Sequence, residues 1–155
     1  MPVNKSLLLL LLLVAAAPAR AQSLADSIRF TYTLVTDTAA GRVTLFGNLE
    51  NAARRPFTFL SRSCGGLQQG IVYQQPTLRL LPGRVCNASR PVVYTVAPGK
   101  SHVFESSFRI LRVTDTAWAF DYRIKLVSAP WKTADRRAGR LPAHTEVLLH
   151  GEEQK

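Results

Sequence analysis

The sequence predicts an all-β protein: an antiparallel sandwich of about seven or eight strands behind an export signal. Three observations carry that expectation. Apolar and polar residues alternate with a period of two through several segments. Turn-forming Gly, Pro, Asn and Asp separate those segments at fairly regular intervals. Beyond the N-terminus no stretch carries a convincing helical repeat. A closed barrel is the competing all-β arrangement.

The chain begins with the three-part layout of a secretory signal peptide. A short polar start carries Lys5, an apolar run follows from Leu7 to Ala17, and Pro18 ends it. Ala19 and Ala21 then supply small residues before Gln22, the expected new N-terminus. The run is about 11 residues, short of the roughly 20 that a membrane-spanning helix needs. No Cys follows the small residues, which argues against a lipid anchor. The expectation is therefore a signal over residues 1–21, a single sandwich domain over 22–155 with its core at about 26–150, and no membrane span after processing. The product is exported, to the periplasm or beyond.

Each strand has its own signature. Ile28, Phe30, Tyr32 and Leu34 alternate with Arg29, Thr31 and Thr33. A turn over Thr36 to Gly41 leads to Val43, Leu45, Gly47 and Leu49, which alternate with Thr44, Phe46 and Asn48. A polar break from Asn51 to Arg55 precedes Pro56 and the run Phe57-Thr58-Phe59-Leu60. Cys64-Gly65-Gly66 reads as a bend, and Ile71-Val72-Tyr73 and Leu78-Arg79-Leu80 as short apolar pieces. Val92 to Val96 lies between the turn dipeptides Pro82-Gly83 and Pro98-Gly99. His102 to Leu111 is extended, with Val103, Phe108 and Ile110 expected in the core. The strongest strand places Trp118, Phe120, Tyr122, Ile124 and Leu126 on one face and Asp121, Arg123 and Lys125 on the other. Trp131 to Arg140 reads as a basic, turn-like segment, Thr145 to His150 as a last strand, and Gly151 to Lys155 as a fraying end.

Composition narrows the partners. The chain has 20 Lys+Arg against 10 Asp+Glu, a formal net charge of +10. Losing Lys5 and Arg20 with the signal lowers that by two. A basic surface favours encounters with anionic partners but names none. The two cysteines, Cys64 and Cys86, lie 22 positions apart. In an exported protein such a pair is most simply a disulfide. Closing that loop contributes about 3 kcal/mol in the chain-entropy account.

One set of residues resembles a known family. Val43 to Asn51 followed by Arg55-Pro56-Phe57 is similar to the strand, Asn, polar turn, Pro, aromatic pattern of bacterial immunoglobulin-like domains. Val96-Ala97-Pro98-Gly99-Lys100-Ser101 resembles their Pro-Gly turn, and Tyr122-Arg123-Ile124 a late strand. The likeness spans about Val43 to Leu126 and is nearest the sandwich domains typified by bacterial proteinase-inhibitor-like proteins. It implies an immunoglobulin-like sandwich. That inhibitor type is intracellular, whereas this chain carries an export signal, so no inhibitory loop is transferred.

Candidate chemistry is sparse. His144, Glu146 and His150 share a strand face, but six residues at about 3.3 Å each separate the two histidines by roughly 20 Å, too far for one metal ion. No serine lies in a G-x-S-x-G context. Asp121 is the acid on the best strand, expected to pair with a neighbouring Arg across strands. Asn87-Ala88-Ser89 fits a glycan-acceptor pattern that matters only in a eukaryotic secretory route. Catalytic residues, metal ligands and cofactors are accordingly not assigned.

Trp131, Lys132, Arg136, Arg137 and Arg140 form the densest basic cluster. An aromatic among cations can stack on a ring while Arg pairs with an anion; the alternative is a solvated loop whose Trp packs back on the sheet. The functional expectation is an exported, non-catalytic binding or interaction module. Its partner is an envelope or extracellular protein or an anionic glycan, in preference to nucleic acid. The other readings are an extracytoplasmic protease inhibitor or hydrolase, and a small component of an envelope or secretion assembly.

Overall fold

The computed structural model describes residues 24–83, 88–113 and 117–155. The expected signal segment, Cys86 and Asn87 lie outside them. After a short 3-10 turn at Leu24–Ser27, the described chain forms β1 (Ile28–Asp37), β2 (Arg42–Asn51), β3 (Phe57–Arg62), β4 (Ile71–Tyr73), β5 (Leu78–Leu80), β6 (Pro91–Val96), β7 (Ser101–Ile110), β8 (Phe120–Val127) and β9 (His144–Glu153). One short helix, α1 (Thr133–Arg137), precedes β9. The strands make a curled mixed sheet in the order β5-β7-β2-β1-β9-β8-β3-β6, with β4 also paired to β8.

The most regular part is β1, β2 and β7. β1 and β2 pair residue by residue from Ile28 opposite Asn51 to Asp37 opposite Arg42. Their turn works because the Asp37 carboxylate accepts the Ala40 N–H at 2.9 Å and Gly41 takes a φ of 58°. β2 then pairs with β7 from Arg42 opposite Arg109 to Glu50 opposite Ser101. Val43, Leu45, Gly47 and Leu49 face inward, as their alternation predicts. Gly47 has a specific reason to lack a side chain: a Cβ there would strike the ring of Phe104 directly opposite.

β9 joins the two halves of the sheet by changing partner. Its first seven residues, His144 to His150, run antiparallel to β8, and Gly151 to Glu153 run parallel to β1 beside Phe30 to Tyr32. Gly151 sits at the crossing, where a Cβ would collide with the Phe120 carbonyl and the Tyr32 ring. The Asp121 carboxylate accepts the Gly151 N–H at 3.1 Å and lies 3.4 Å from His150 Nδ1. Asp121 thus fastens the crossing instead of pairing with a neighbouring Arg or Lys.

Curling brings the inner faces together over an aromatic core. Phe30 and Phe104 contact Tyr122 with ring centroids 5.4 and 5.2 Å apart, and Phe108 contacts Phe120 at 5.2 Å. Phe120, Tyr122, Ile124 and Leu126 are all buried, as the strand pattern predicts. Asn51 locks the end of β2 into this core. It is fully buried, yet its amide donates to the carbonyls of Arg55 at 3.0 Å and Val96 at 2.9 Å while its oxygen accepts the Ala53 N–H at 2.9 Å. Its backbone also bonds Lys100 and Gly99 of the β6–β7 turn. The Asn and Pro-Gly motifs of the sequence are therefore two sides of one junction.

Several expectations need correction. The described strands number nine, and the β1–β9 pairing makes the sheet mixed instead of wholly antiparallel. Val103 is 73% exposed. On an unbroken strand residues 103 and 108 point to opposite faces, so Phe104, Ser106 and Phe108 take the inner positions. β8 starts at Phe120, leaving Trp118 packed against the core just outside it, its carbonyl accepting the Tyr32 hydroxyl at 3.5 Å. The end does not fray at residue 151: Gly151 to Glu153 are in β9, and the Gln154 N–H reaches the Tyr32 carbonyl at 2.8 Å.

Candidate functional site

β8 changes partner as β9 does, and the change leaves a gap. β8 pairs with β3 only at Leu126 opposite Phe59 and Lys125 opposite Leu60. Further back it pairs with β4, from Ile71 opposite Tyr122 to Tyr73 opposite Phe120. Where β3 and β8 part, a cleft of about 260 Å³ opens, lined by Leu60, Ser61, Arg62, Gly66, Gly70, Arg123, Lys125, Leu141 and Glu146 among others. Two glycines set its shape. A Cβ on Gly66 would meet the backbone of Arg62, and one on Gly70 would meet the Tyr122 ring and the Arg123 carbonyl. The loop after β3 can therefore lie directly against both strands.

The charged groups of the cleft differ in how they are held. Arg62 is anchored by its guanidinium to Ser89, at 3.1 Å to the hydroxyl and 3.2 Å to the carbonyl. Lys125 lies 3.3 Å from Glu146 across the β8–β9 ladder. Arg123 sits opposite Leu148 and has no carboxylate partner among the described residues. The Ser61 hydroxyl is buried with no hydrogen-bond partner. Three cations and one carboxylate thus line the cleft.

The basic segment joins this cleft in sequence, Arg140 directly preceding Leu141. Ser128 closes its base, donating to the Ala143 carbonyl through its N–H at 3.0 Å and its hydroxyl at 3.2 Å. Within it, the Trp131 indole N–H donates to the Arg140 carbonyl at 2.9 Å, and the Arg136 guanidinium carbon stands 4.7 Å from the Trp131 ring centre. Arg140 reaches Asp135 at 3.8 Å, and Gly139 takes a φ of 68° to end α1. Trp131 therefore organises the loop with one ring face covered by Arg136. Lys132, Arg136, Arg137 and Arg140 are all exposed.

The histidines are dispersed. His144 Nδ1 lies 2.9 Å from the Pro142 carbonyl, and His150 is at the Asp121 crossing. Glu146 pairs with Lys125. His102 packs against the stacked rings of Tyr94 and Phe59, with centroids 4.7 and 5.6 Å away, and burial there lowers its pKa. Burial, with a smaller contribution from Tyr94, pushes the Tyr122 hydroxyl well above the ordinary tyrosine range. Among the described residues no group of three His, Cys, Asp or Glu is placed to hold a metal ion.

Of the expected site residues, the basic cluster is brought together as one loop. The partner of Cys64 in the expected disulfide, Cys86, lies outside the described residues; Cys64 itself is not a free cysteine. Arg62, Arg123 and Lys125 are the positions that sequence reading missed. Arg123 and Lys125 looked like an ordinary polar strand face, because the parting of β3 from β8 depends on long-range pairing. The Cys-Gly-Gly bend and Gly70 were the available signal, since glycines at such spacing mark close backbone approach.

The chain matches no protein-family model, and no curated protein is similar to it at a significant level. Among the described residues no helix is long and apolar enough to cross a membrane.

Proposed function

We propose that this chain is an exported, non-catalytic binding module with an immunoglobulin-like sandwich fold and a Cys64–Cys86 disulfide. Its binding surface is the basic face formed by the β3–β8 cleft and the neighbouring Trp131–Arg140 loop. One observation carries the reading: a cleft with three cations against one carboxylate, one of those cations unpaired, borders a loop holding four more. Such a surface raises both the encounter rate and the residence of an anionic partner. The signal layout at the N-terminus supports export, and export supports the disulfide. A serine nucleophile has to reach its substrate, and the Ser61 hydroxyl is buried.

The test is binding of the exported protein to heparin across a salt series. Affinity should fall steeply with salt, and replacing Arg136, Arg137 and Arg140 together by Ala should lower the slope by roughly one unit per lost contact. Binding that is absent at low salt, or indifferent to salt, refutes the basic-face reading. Thiol counting on denatured, unreduced protein should find no free thiol; two per chain would remove the disulfide.

A further inference from the structure

We infer that the β3–β8 cleft takes a single carboxylated sugar residue, such as a uronic acid at the end of a glycan, with Arg123 receiving its carboxylate. This rests on the basic-face reading and narrows it to one pocket and one ligand chemistry.

Size comes first. At about 260 Å³ the cleft is below the range of drug-sized sites and suits one ring in place of an extended chain. Charge comes second. Arg62, Arg123 and Lys125 against Glu146 leave an excess of two positive charges, suited to one carboxylate and poorly matched to a densely sulfated segment. Arg62 and Lys125 already have partners, so Arg123 is the free fork for a planar carboxylate.

The remaining groups argue for a sugar over an apolar peptide carboxyl terminus. The Glu146 carboxylate, one oxygen of which meets Lys125, keeps further acceptor positions on a half-exposed side chain. A sugar ring brings several hydroxyls for them, and its C–H face can lie on Leu141, which is half exposed. An apolar amino-acid residue would satisfy Arg123 and Leu141 while leaving Glu146 without hydroxyl donors.

The experiment titrates the exported protein calorimetrically with trigalacturonate, its fully methyl-esterified form and acetyl-dileucine. Trigalacturonate should bind, and esterification should weaken it by about tenfold or more, since a charge-assisted fork is lost. Arg123→Ala should have the same effect, with Arg123→Lys intermediate because it keeps the charge without the planar fork. The inference is overturned if the ester binds equally well, if acetyl-dileucine binds as tightly as the uronate, or if Arg123→Ala leaves trigalacturonate unchanged. Should heparin still bind in any of those cases with loss only in the Arg136/Arg137/Arg140 triple variant, the basic face survives and the pocket assignment alone falls. If neither heparin nor trigalacturonate binds, both readings fall together.

Discussion

The two ends of the curled sheet are built on different principles. In the β1–β2–β7 part, ten-residue strands pair along nearly their whole length, and side chains alternate without interruption. In the β3–β4–β8 part, pairing comes in pieces of two and three residues on β8, with β3 and β4 sharing its edge. The first part leaves few backbone groups without partners and presents Thr33, Phe46 and Val103 outward. The second parts its strands, and the parting makes room for the cleft and its cations. Continuous pairing builds the frame here, and interrupted pairing builds the site.

The largest expected effect tests the frame they share. Phe120 is buried between Tyr32 and Phe108 from the first part and stands on β8 of the second. Phe120→Ala should cost about 3–5 kcal/mol of unfolding free energy, as large-to-small changes do in packed cores. Denaturant titration measures it. A cost below about 1 kcal/mol would mean the two inner faces do not pack as one core.

Next comes the junction at Asn51. Asn51→Ala leaves the buried Val96 carbonyl without its donor and frees the Arg55 carbonyl and Ala53 N–H nearer the surface, and an unsatisfied buried group costs about 1–3 kcal/mol. The two outer groups recover water, so a net loss of about 1–3 kcal/mol is expected. Asn51→Asp should also destabilise, because a carboxylate cannot donate to the Arg55 and Val96 carbonyls. If both variants fold as stably as the parent, the β2 end and the β6–β7 turn are not held by this side chain.

These two residues also show what a sequence can and cannot disclose. Phe120 was legible because period-two alternation over β8 leaves one facing. The Asn51 motif was legible as a pattern, though its three side-chain bonds span segments up to 45 residues apart. Val103 is apolar yet faces outward, because parity along β7 and not apolar character decides the face. The β1–β9 parallel pairing and the Gly151 crossing were not legible, since they depend on where distant strands meet. The cleft was hidden for the same reason: Arg123 differs from Lys125 only in what β9 offers opposite, Leu148 in one case and Glu146 in the other.

Alkaline pH should separate the buried phenol from the surface. Burial raises the pKa of Tyr122 in the folded protein above its value of about 10 in the unfolded chain. The folded state therefore holds its proton longer. The associated stability is fully present below about pH 10 and is lost as pH climbs from there toward the folded value. Urea midpoints should stay level from pH 7 to 9 and then fall. Tyr122→Phe should flatten the fall, leaving a residue from Tyr32, whose pKa is raised by the same cause. A slope unchanged in Tyr122→Phe would assign the alkaline loss elsewhere.

The smallest effect on folding is expected where the effect on binding is largest. Arg123 is exposed on β8, faces Leu148 across the ladder, and has no ion-pair partner among the described residues. Surface substitutions of that kind usually change stability by less than about 0.5 kcal/mol. Arg123→Ala should unfold at the parent's denaturant midpoint within that margin. Lys125→Ala is the matched control, since it removes a cation from the same strand face and also breaks the exposed pair with Glu146, a contact worth at most about 1 kcal/mol. If Arg123 is a frame residue, its loss will destabilise at least as much as that of Lys125. If the interrupted half is the binding half, Arg123→Ala will be the more silent in denaturation and the more damaging to uronate binding.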